Sequence, residues 1–190
     1  MYQNLLDHIA KFVSLDEAET QKLCAALQYL KVRKKELLLG QGQICQHQYF
    51  IVKGCCRNYI INEKGSEQTT QFAIESWWIS DFLSFHNDRP TDFYIQAVEN
   101  SEVIALKKTD MEALLLEVPK LERYFRLVMQ KAFGASQVRI KYLFTQSAEE
   151  RYRHFNDMFP EFVQRVPQYM LATYLDFSPE FLSKIRAGKV

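Results

Sequence analysis

Hydrophobic spacing changes character twice along the chain. The first stretch is helical. Apolar residues around Leu5, Leu6 and Ile9 recur at helical intervals, predicting a helix over 3–12. A second helix is predicted over 15–29, with Leu23, Ala26, Leu27 and Leu30 on one face. Ser14 stands three residues before Glu17, the spacing of a capping box. From Val32 to Lys107 the apolar runs become short and are broken by turn residues. Strands are expected at Glu36 to Leu39, Tyr49 to Val52, Cys56 to Ile61, Gln68 to Ile74, Phe93 to Val98 and Val103 to Leu106. Gly40, Gly42, Gly54 and the segment Asn62 to Gly65 punctuate them. Many short strands rich in aromatic and β-branched residues argue for a sandwich or barrel.

The helical period returns after Thr109. Thr109 or Asp110 caps a short helix from Met111 to Glu117, and Pro119 suits the start of another. Between Lys120 and Thr145 apolar residues follow three-and-four spacing from Leu121 to Val138 with no proline. Such a helix is about 37 Å long at 1.5 Å per residue. It is either a core helix wrapped by the barrel or a spine that pairs with a second subunit. The spine is preferred, because a helix longer than a sandwich cannot be covered by it. Ala132, Gly134, Ala135 and Ser136 would let a partner helix approach.

Beyond Gln146, Ser147 and Glu150 form another capping box, opening a helix to about Met158. Phe159 to Val166 reads as a turn or short ribbon. Pro167 starts a helix ending near Leu175, Asp176 and Phe177 make a turn, and Ser178 caps a last helix with Pro179 in its first position. Gly188 is a natural stop. The organisation expected is a sensor-like β domain over 1–118, a connecting helix over 119–146 and a helical domain over 147–190.

Composition narrows the function classes. At 47% hydrophobic and 25% charged, the chain is that of an ordinary folded protein. A formal charge of +1 offers no whole-chain attraction to phosphate. Cys24, Cys45, Cys55 and Cys56 lack the spacing of a zinc or iron–sulfur site and read as small buried hydrophobes. With neither a secretory pattern nor a membrane-length apolar run, a cytoplasmic protein without membrane contact is expected. His8, His47, His86 and His154 are scattered, and no HExxH, GxSxG, Walker or GxGxxG pattern occurs. The best acid–base group, His86 with Asp88 near Asp81, is the kind of loop cluster that is usually solvated. An enzyme is therefore not expected.

The sharpest signal is the pair of short helices from Val166 to Arg186. Met170, Leu171, Leu175, Phe177, Leu182 and Ile185 can form a small core around Ala172. The other face of the last helix shows Ser178, Glu180, Ser183, Lys184 and Arg186. A major groove admits such a helix, where glutamate accepts from cytosine and lysine donates to guanine. Charge is less persuasive: over 147–190 six basic and six acidic side chains cancel, although from Ser178 onward the net is +2.

In this order of elements the chain resembles the Crp/Fnr family of transcription regulators. The resemblance implies an α+β fold: an antiparallel, cyclic-nucleotide-binding-like β-roll flanked by helices, a long dimerisation helix and a C-terminal winged helix-turn-helix. It implies Glu180 and Lys184 as base-reading residues, with Pro179 where the family carries an arginine, and Gln168 and Tyr169 as phosphate contacts. The implied partners are double-stranded DNA, a second copy of the chain and RNA polymerase. The family's effector pocket maps to Ser80 and Asp81 in place of its Gly-Glu pair, and to Thr91, Asp92 and Phe93 in place of Arg-Ser/Thr-Ala. The phosphate-binding arginine is thus replaced and a carboxylate stands beside its place, which disfavours a buried cyclic phosphate; Arg89 is the nearest cation in sequence. Trp77, Trp78, Phe82, Phe85 and Phe93 suggest a filled or apolar roll interior. No cofactor is expected, leaving an unknown small-molecule effector as the alternative to a cyclic nucleotide. The competing reading is a ligand-sensing or protein-interaction module that has lost DNA binding.

Overall fold

A computed structural model describes residues 1–188; Lys189, counted in the charge at the tip, lies outside them. The chain forms two compact units, Met1–Ile60 with Gln71–Met129, and Ile61–Thr70 with Gln130–Val190.

The first unit opens with α1 (Gln3–Ala10) and α2 (Glu17–Ala25). The capping box of α2 is made by Asp16 and Glu19, each accepting from the other's backbone N–H at 2.8 Å, and not by Ser14 and Glu17. Starting the helix two residues later leaves Leu15 outside it, packed beside Val13 on the core. The expected helix also stops early. Leu27–Val32 is strand β1, paired along its length with the strand from Ser101 to Lys107. Here long-range pairing overrides a local helical pattern.

Seven further strands follow: β2 (Leu37–Leu39), β3 (His47–Lys53), β4 (Cys56–Ile61), β5 (Glu67–Ala73), β6 (Trp78–Ile79), β7 (Tyr94–Ala97) and β8 (Ser101–Lys107). They form two four-stranded sheets, ordered β1-β8-β3-β6 and β2-β7-β4-β5. Alternation decides which residues face which layer. In β3, Tyr49 and Ile51 join the cluster between the sheets, while Phe50 joins a second cluster. In β8, Val103 and Ala105 make the first choice, Ile104 and Leu106 the second. That second cluster holds Leu5, Ile9, Leu23, Leu121 and Tyr124 from the helices. The first sheet is thus covered on both faces, which is why these strands read as unbroken apolar runs. In β7 only Ile95 and Ala97 enter the core, and the pattern alternates.

Between β3 and β4 the chain turns at Gly54, with φ of 104°. A Cβ there would sit 2.8 Å from the Ser101 Cα, so only glycine fits. Helix α3 (Phe82–Asn87) follows β6, and α4 (Lys108–Glu117) follows β8 directly, three residues before the expected start and with no side-chain cap. Helix α5 (Lys120–Thr145) has 26 residues, of which only Leu121, Tyr124 and Phe125 are buried.

The second unit contains α6 (Ala148–Met158), α7 (Pro160–Arg165), α8 (Gln168–Tyr174) and α9 (Pro179–Arg186). The expected turn or ribbon over 159–166 is helical instead. Pro160 takes the first position, and Phe162, Val163 and Val166 bury one face at helical spacing. After Lys107 all regular structure among the described residues is helical, with no wing strand. Val163, Leu171, Ala172, Leu175 and Leu182 form a small core in this unit, with Phe177 packed against it. Leu171, Ala172, Leu175 and Leu182 are where the sequence puts them, Val163 is added, and Met170 and Ile185 are not part of the cluster. Among the described residues no helix is long and apolar enough to cross a membrane.

Candidate nucleic-acid interface and sensor pocket

Two capping devices and a turn build the helix-turn-helix. Ser147 accepts from the Glu150 N–H at 3.3 Å and Glu150 accepts from the Ser147 N–H at 2.7 Å, so α6 begins where the sequence places it. Donation from the Ser147 backbone N–H, and then from its hydroxyl, holds the Glu150 carboxyl below the usual carboxylate range. Helix α8 ends in a Schellman arrangement. The Phe177 N–H reaches the Ala172 carbonyl at 3.1 Å and the Asp176 N–H reaches the Thr173 carbonyl at 3.2 Å. Asp176 adopts the left-handed conformation this needs, with φ of 63°. Two residues later the Ser178 side chain accepts from the Phe181 N–H at 3.2 Å and opens α9, with Pro179 next.

The helix so placed has two faces. Leu182 is fully buried and Ile185 partly so. Glu180, Ser183 and Lys184 share the opposite face and are exposed, flanked by exposed Ser178, Pro179 and Arg186. The carboxyl of Glu180 lies below its ordinary range because its own backbone N–H and the Ser178 hydroxyl donate to it. It is therefore an ionised, acceptor-only group near neutral pH, suited to a cytosine amino donor. Gln168 and Tyr169, in the first turn of α8, are exposed as well, while Met170, Leu171 and Ala172 are buried behind them. Side-chain amide and phenol donors there suit phosphate oxygens.

Sequence reasoning missed two basic residues at this site. Arg139 of α5 donates to the Tyr174 carbonyl at 2.8 Å and to the Thr70 carbonyl at 3.1 Å, and stacks over the Tyr174 ring at 4.3 Å. Arg151 of α6 donates to the carbonyls of Leu175 at 3.0 Å, Gln146 at 2.7 Å and Asp176 at 3.4 Å. Neither falls in a motif, because its partners are backbone atoms up to 69 residues away. The β4–β5 tip, Ile61–Thr70, is part of the same unit. Gln68 donates to the Thr173 carbonyl, and the Thr69 N–H donates to the Thr173 hydroxyl at 3.3 Å.

The candidate effector residues are brought together but are occupied with one another. Asp81 caps α3, accepting from the N–H groups of Leu83 at 3.0 Å and Ser84 at 3.2 Å, and its other oxygen accepts from the Thr91 hydroxyl. Thr91 accepts from the Phe93 N–H at 2.9 Å. Ser80 donates to the His47 carbonyl at 3.0 Å and lies 3.3 Å from the Cys45 sulfur. Asp81, Ser80 and Thr91 are buried; Arg89 and Asp92 are exposed. The side chain of Ser84 holds the Arg89 backbone carbonyl, so Arg89 enters this network through its backbone. Arg57 is the one arginine buried among the described residues. Its Nε and Nη2 donate to Gln96 at 3.1 and 2.7 Å, and it stacks over Tyr59 at 4.1 Å. Of the aromatics expected to fill the roll, Trp78 and Phe85 are buried, Phe82 and Phe93 are half-buried, and Trp77 is 45% exposed.

The other candidate chemistry does not assemble. Asp88 pairs with Lys108 at 2.7 Å, and His86 contributes its backbone carbonyl to the same ammonium. Among the described residues no three His, Cys, Asp or Glu side chains converge as a metal site would require. Burial pushes the Cys56 thiol up to about 12, as befits an inert core residue.

These features define a class, a β-roll followed by a long helix and a helix-turn-helix. Residues 29–117 match the family model of the cyclic nucleotide-binding domain. The fumarate and nitrate reduction regulatory protein of Vibrio cholerae is 28% identical over 143 residues, 75% of this chain and 56% of that protein. The transcriptional activator protein Anr of Pseudomonas protegens is 26% identical over 124 residues, 65% of this chain and 50% of that one. The chain thus spans about half the length of the curated relatives it matches. Among solved structures, FixK2 from Bradyrhizobium japonicum superposes with a TM-score of 0.71 at 16% identity, covering 85% of this chain and 83% of its own. The c-di-GMP responsive global regulator CLP of Xanthomonas campestris gives 0.73 at 13% identity, covering 91% of each chain. In fold and in its sequence relatives the chain resembles the Crp/Fnr regulators, as the order of its elements implies.

Proposed function

We propose that the protein is a homodimeric, sequence-specific DNA-binding transcription regulator of Crp/Fnr type, cytoplasmic, with RNA polymerase as a further partner. The observation that carries this is the exposed face of α9, where Glu180, Ser183 and Lys184 project from a helix set by a capped turn. Residues 1–118 serve as the sensor, 119–146 as the dimer helix and 147–190 as the reader. Gln168, Tyr169, Ser178, Pro179 and Arg186 border the reading face as phosphate or groove contacts.

Dimerisation is supported by a stripe on α5. Met129, Phe133, Ser136, Ile140 and Leu143 alternate four and three residues apart, the seam of a coiled coil. Phe133 is 65% and Ile140 51% exposed, with Phe144 beside them at 83%. Ser136 lies on this seam and Ala132 flanks it, whereas Gly134 and Ala135 turn away from it. A second copy laid along the stripe would present two α9 helices to half-sites about 34 Å apart. Phe133→Glu places a charge in that seam and is expected to convert the dimer to monomer in sedimentation equilibrium; a wild-type monomer at micromolar concentration would sink the dimer.

The sensor is not expected to hold a cyclic nucleotide. Asp81 and Thr91 are engaged with each other, and the buried Arg57 is engaged with Gln96 and Tyr59. By the family resemblance, Asp92 stands next to the place of the phosphate-binding arginine, where a carboxylate would disfavour a cyclic phosphate. Ser80, Asp81, Arg89, Thr91 and Asp92 remain the residues to probe for another effector. Selection of duplexes from a random pool, followed by gel shift across a salt series, tests the DNA reading: selective, salt-sensitive binding is expected. The cancelling charges of the C-terminal region and Pro179 in place of an arginine favour the second reading, a sensing or interaction module without DNA binding. That reading predicts no enriched duplex and no salt-dependent affinity.

A further inference from the structure

The end of α8 shows complete accounting of its backbone carbonyls. A Schellman turn satisfies only two of them from the chain itself, those of Ala172 and Thr173. The next three, Tyr174, Leu175 and Asp176, project beyond the last helical N–H donors. Each is met by an arginine from another helix. Arg139 takes Tyr174, and Arg151 takes Leu175 and Asp176. Helix α8 has no basic residue in its own last turn, so the positive charge that complements its C-terminal end comes from α5 and α6. The turn so held contains a left-handed Asp176 in place of the usual glycine, and Ser178 begins α9 two residues further on. With so short a connection, any change in the Asp176 backbone swings the whole reading face.

We propose that Arg139 and Arg151 are positioning residues for the recognition helix, acting through the carbonyls of Tyr174, Leu175 and Asp176 and touching no base themselves. This rests on the DNA-binding reading for its functional consequence, but not for its structural content. Both guanidiniums are directed inward, so two cations that a charge count would assign to phosphate are employed inside the protein. A fork of parallel donors does this where an ammonium cannot, because one Lys nitrogen cannot span Gln146, Leu175 and Asp176 together.

The test compares the full chain with Arg139→Gln, Arg151→Gln and Arg151→Lys by NMR-detected hydrogen exchange. Exchange at the Asp176 and Phe177 amides is expected to quicken about tenfold or more, the loss of a charge-assisted hydrogen bond. The Ile104 amide of β8 and amides in the middle of α6 should hold their rates. Acceleration spread evenly over α6, α8 and α9 would mean a merely structural role and would overturn the proposal. So would an unchanged rate at Asp176 and Phe177. Arg151→Lys should leave the turn fast-exchanging; if it restores slow exchange, charge alone suffices and fork-based positioning is wrong. On duplexes selected by the wild type, Arg139→Gln should lower the ratio of selected to random affinity about tenfold while random binding changes far less. Equal losses on both duplexes would make Arg139 a phosphate contact. If the wild type enriches no duplex, the DNA reading fails and the exchange measurements alone decide the positioning.

Discussion

The two units treat their polar side chains in opposite ways. In the β-roll, Ser80, Asp81, Ser84 and Thr91 are buried and bonded to one another or to nearby backbone. In the helical unit, Ser178, Glu180, Ser183 and Lys184 stay exposed, while Arg139 and Arg151 turn inward to hold the frame. Chemistry for a partner requires groups that remain unsatisfied until it arrives. By that measure Ser183 and Lys184 on α9 are open to a partner, whereas Asp81 and Thr91 in the roll are engaged with each other. A network that satisfies itself rigidifies a core.

The largest expected effects test whether the two regions also differ in what stabilises them. Both tryptophans, Trp77 and Trp78, lie in the first unit. Phe50→Ala, at a position with no exposed surface, is expected to cost about 3–5 kcal/mol and to move the fluorescence-detected urea transition. Leu171→Ala, equally buried, should cost about 2–5 kcal/mol and show chiefly in far-ultraviolet circular dichroism, since no tryptophan lies in its unit. If both variants shift both signals alike, the contrast between the units does not extend to stability.

Smaller effects sharpen the open surface. Lys184→Ala should cost about 1–3 kcal/mol at a single base position in a binding assay across operator variants. A uniform loss across all sequences would instead make Lys184 a phosphate contact. Ser178→Ala removes the acceptor for the Phe181 N–H and should destabilise α9 by about 1 kcal/mol, read as a fall in melting temperature. The smallest effect is one of pH. Glu150 and Glu180 have folded-state values below the ordinary 4.5, so their contribution is present above that value and fades as pH falls through the lowered one. Acid titration should fray the first turns of α6 and α9 below about pH 4.5. Loss of those turns nearer pH 6 would point to another group.

Local rules carried far along this chain. The Ser147–Glu150 box, the Ser178 cap with Pro179, and the long helix to Thr145 involve partners within four residues, and each stands where pattern alone puts it. The order of elements, and with it the family resemblance, was legible for the same reason. Pattern failed where two local solutions compete or where a distant partner decides. Ser14 and Asp16 both offer capping boxes three residues ahead of a glutamate, and the packing of Leu15 selects the second. Leu27 to Leu30 is apolar enough for a helix, but pairing with β8 makes it a strand. The segment 159–166 looked like a ribbon until Phe162 and Val163 found a shared buried face.

The polar face of α9 is therefore a property of the sequence: amphipathic spacing puts Leu182 inward and Glu180, Ser183 and Lys184 outward whatever surrounds it. What only the tertiary structure decided is where that face is held and which charges remain to serve it. No motif in the sequence singles out Arg139 or Arg151, and Asp81 reads there as a pocket carboxylate. Their partners lie 5 to 69 residues away along the chain for the arginines and 10 away for the Asp81–Thr91 pair. Hydrogen bonds over such separations follow from packing, because no local periodicity encodes which carbonyl a guanidinium will find.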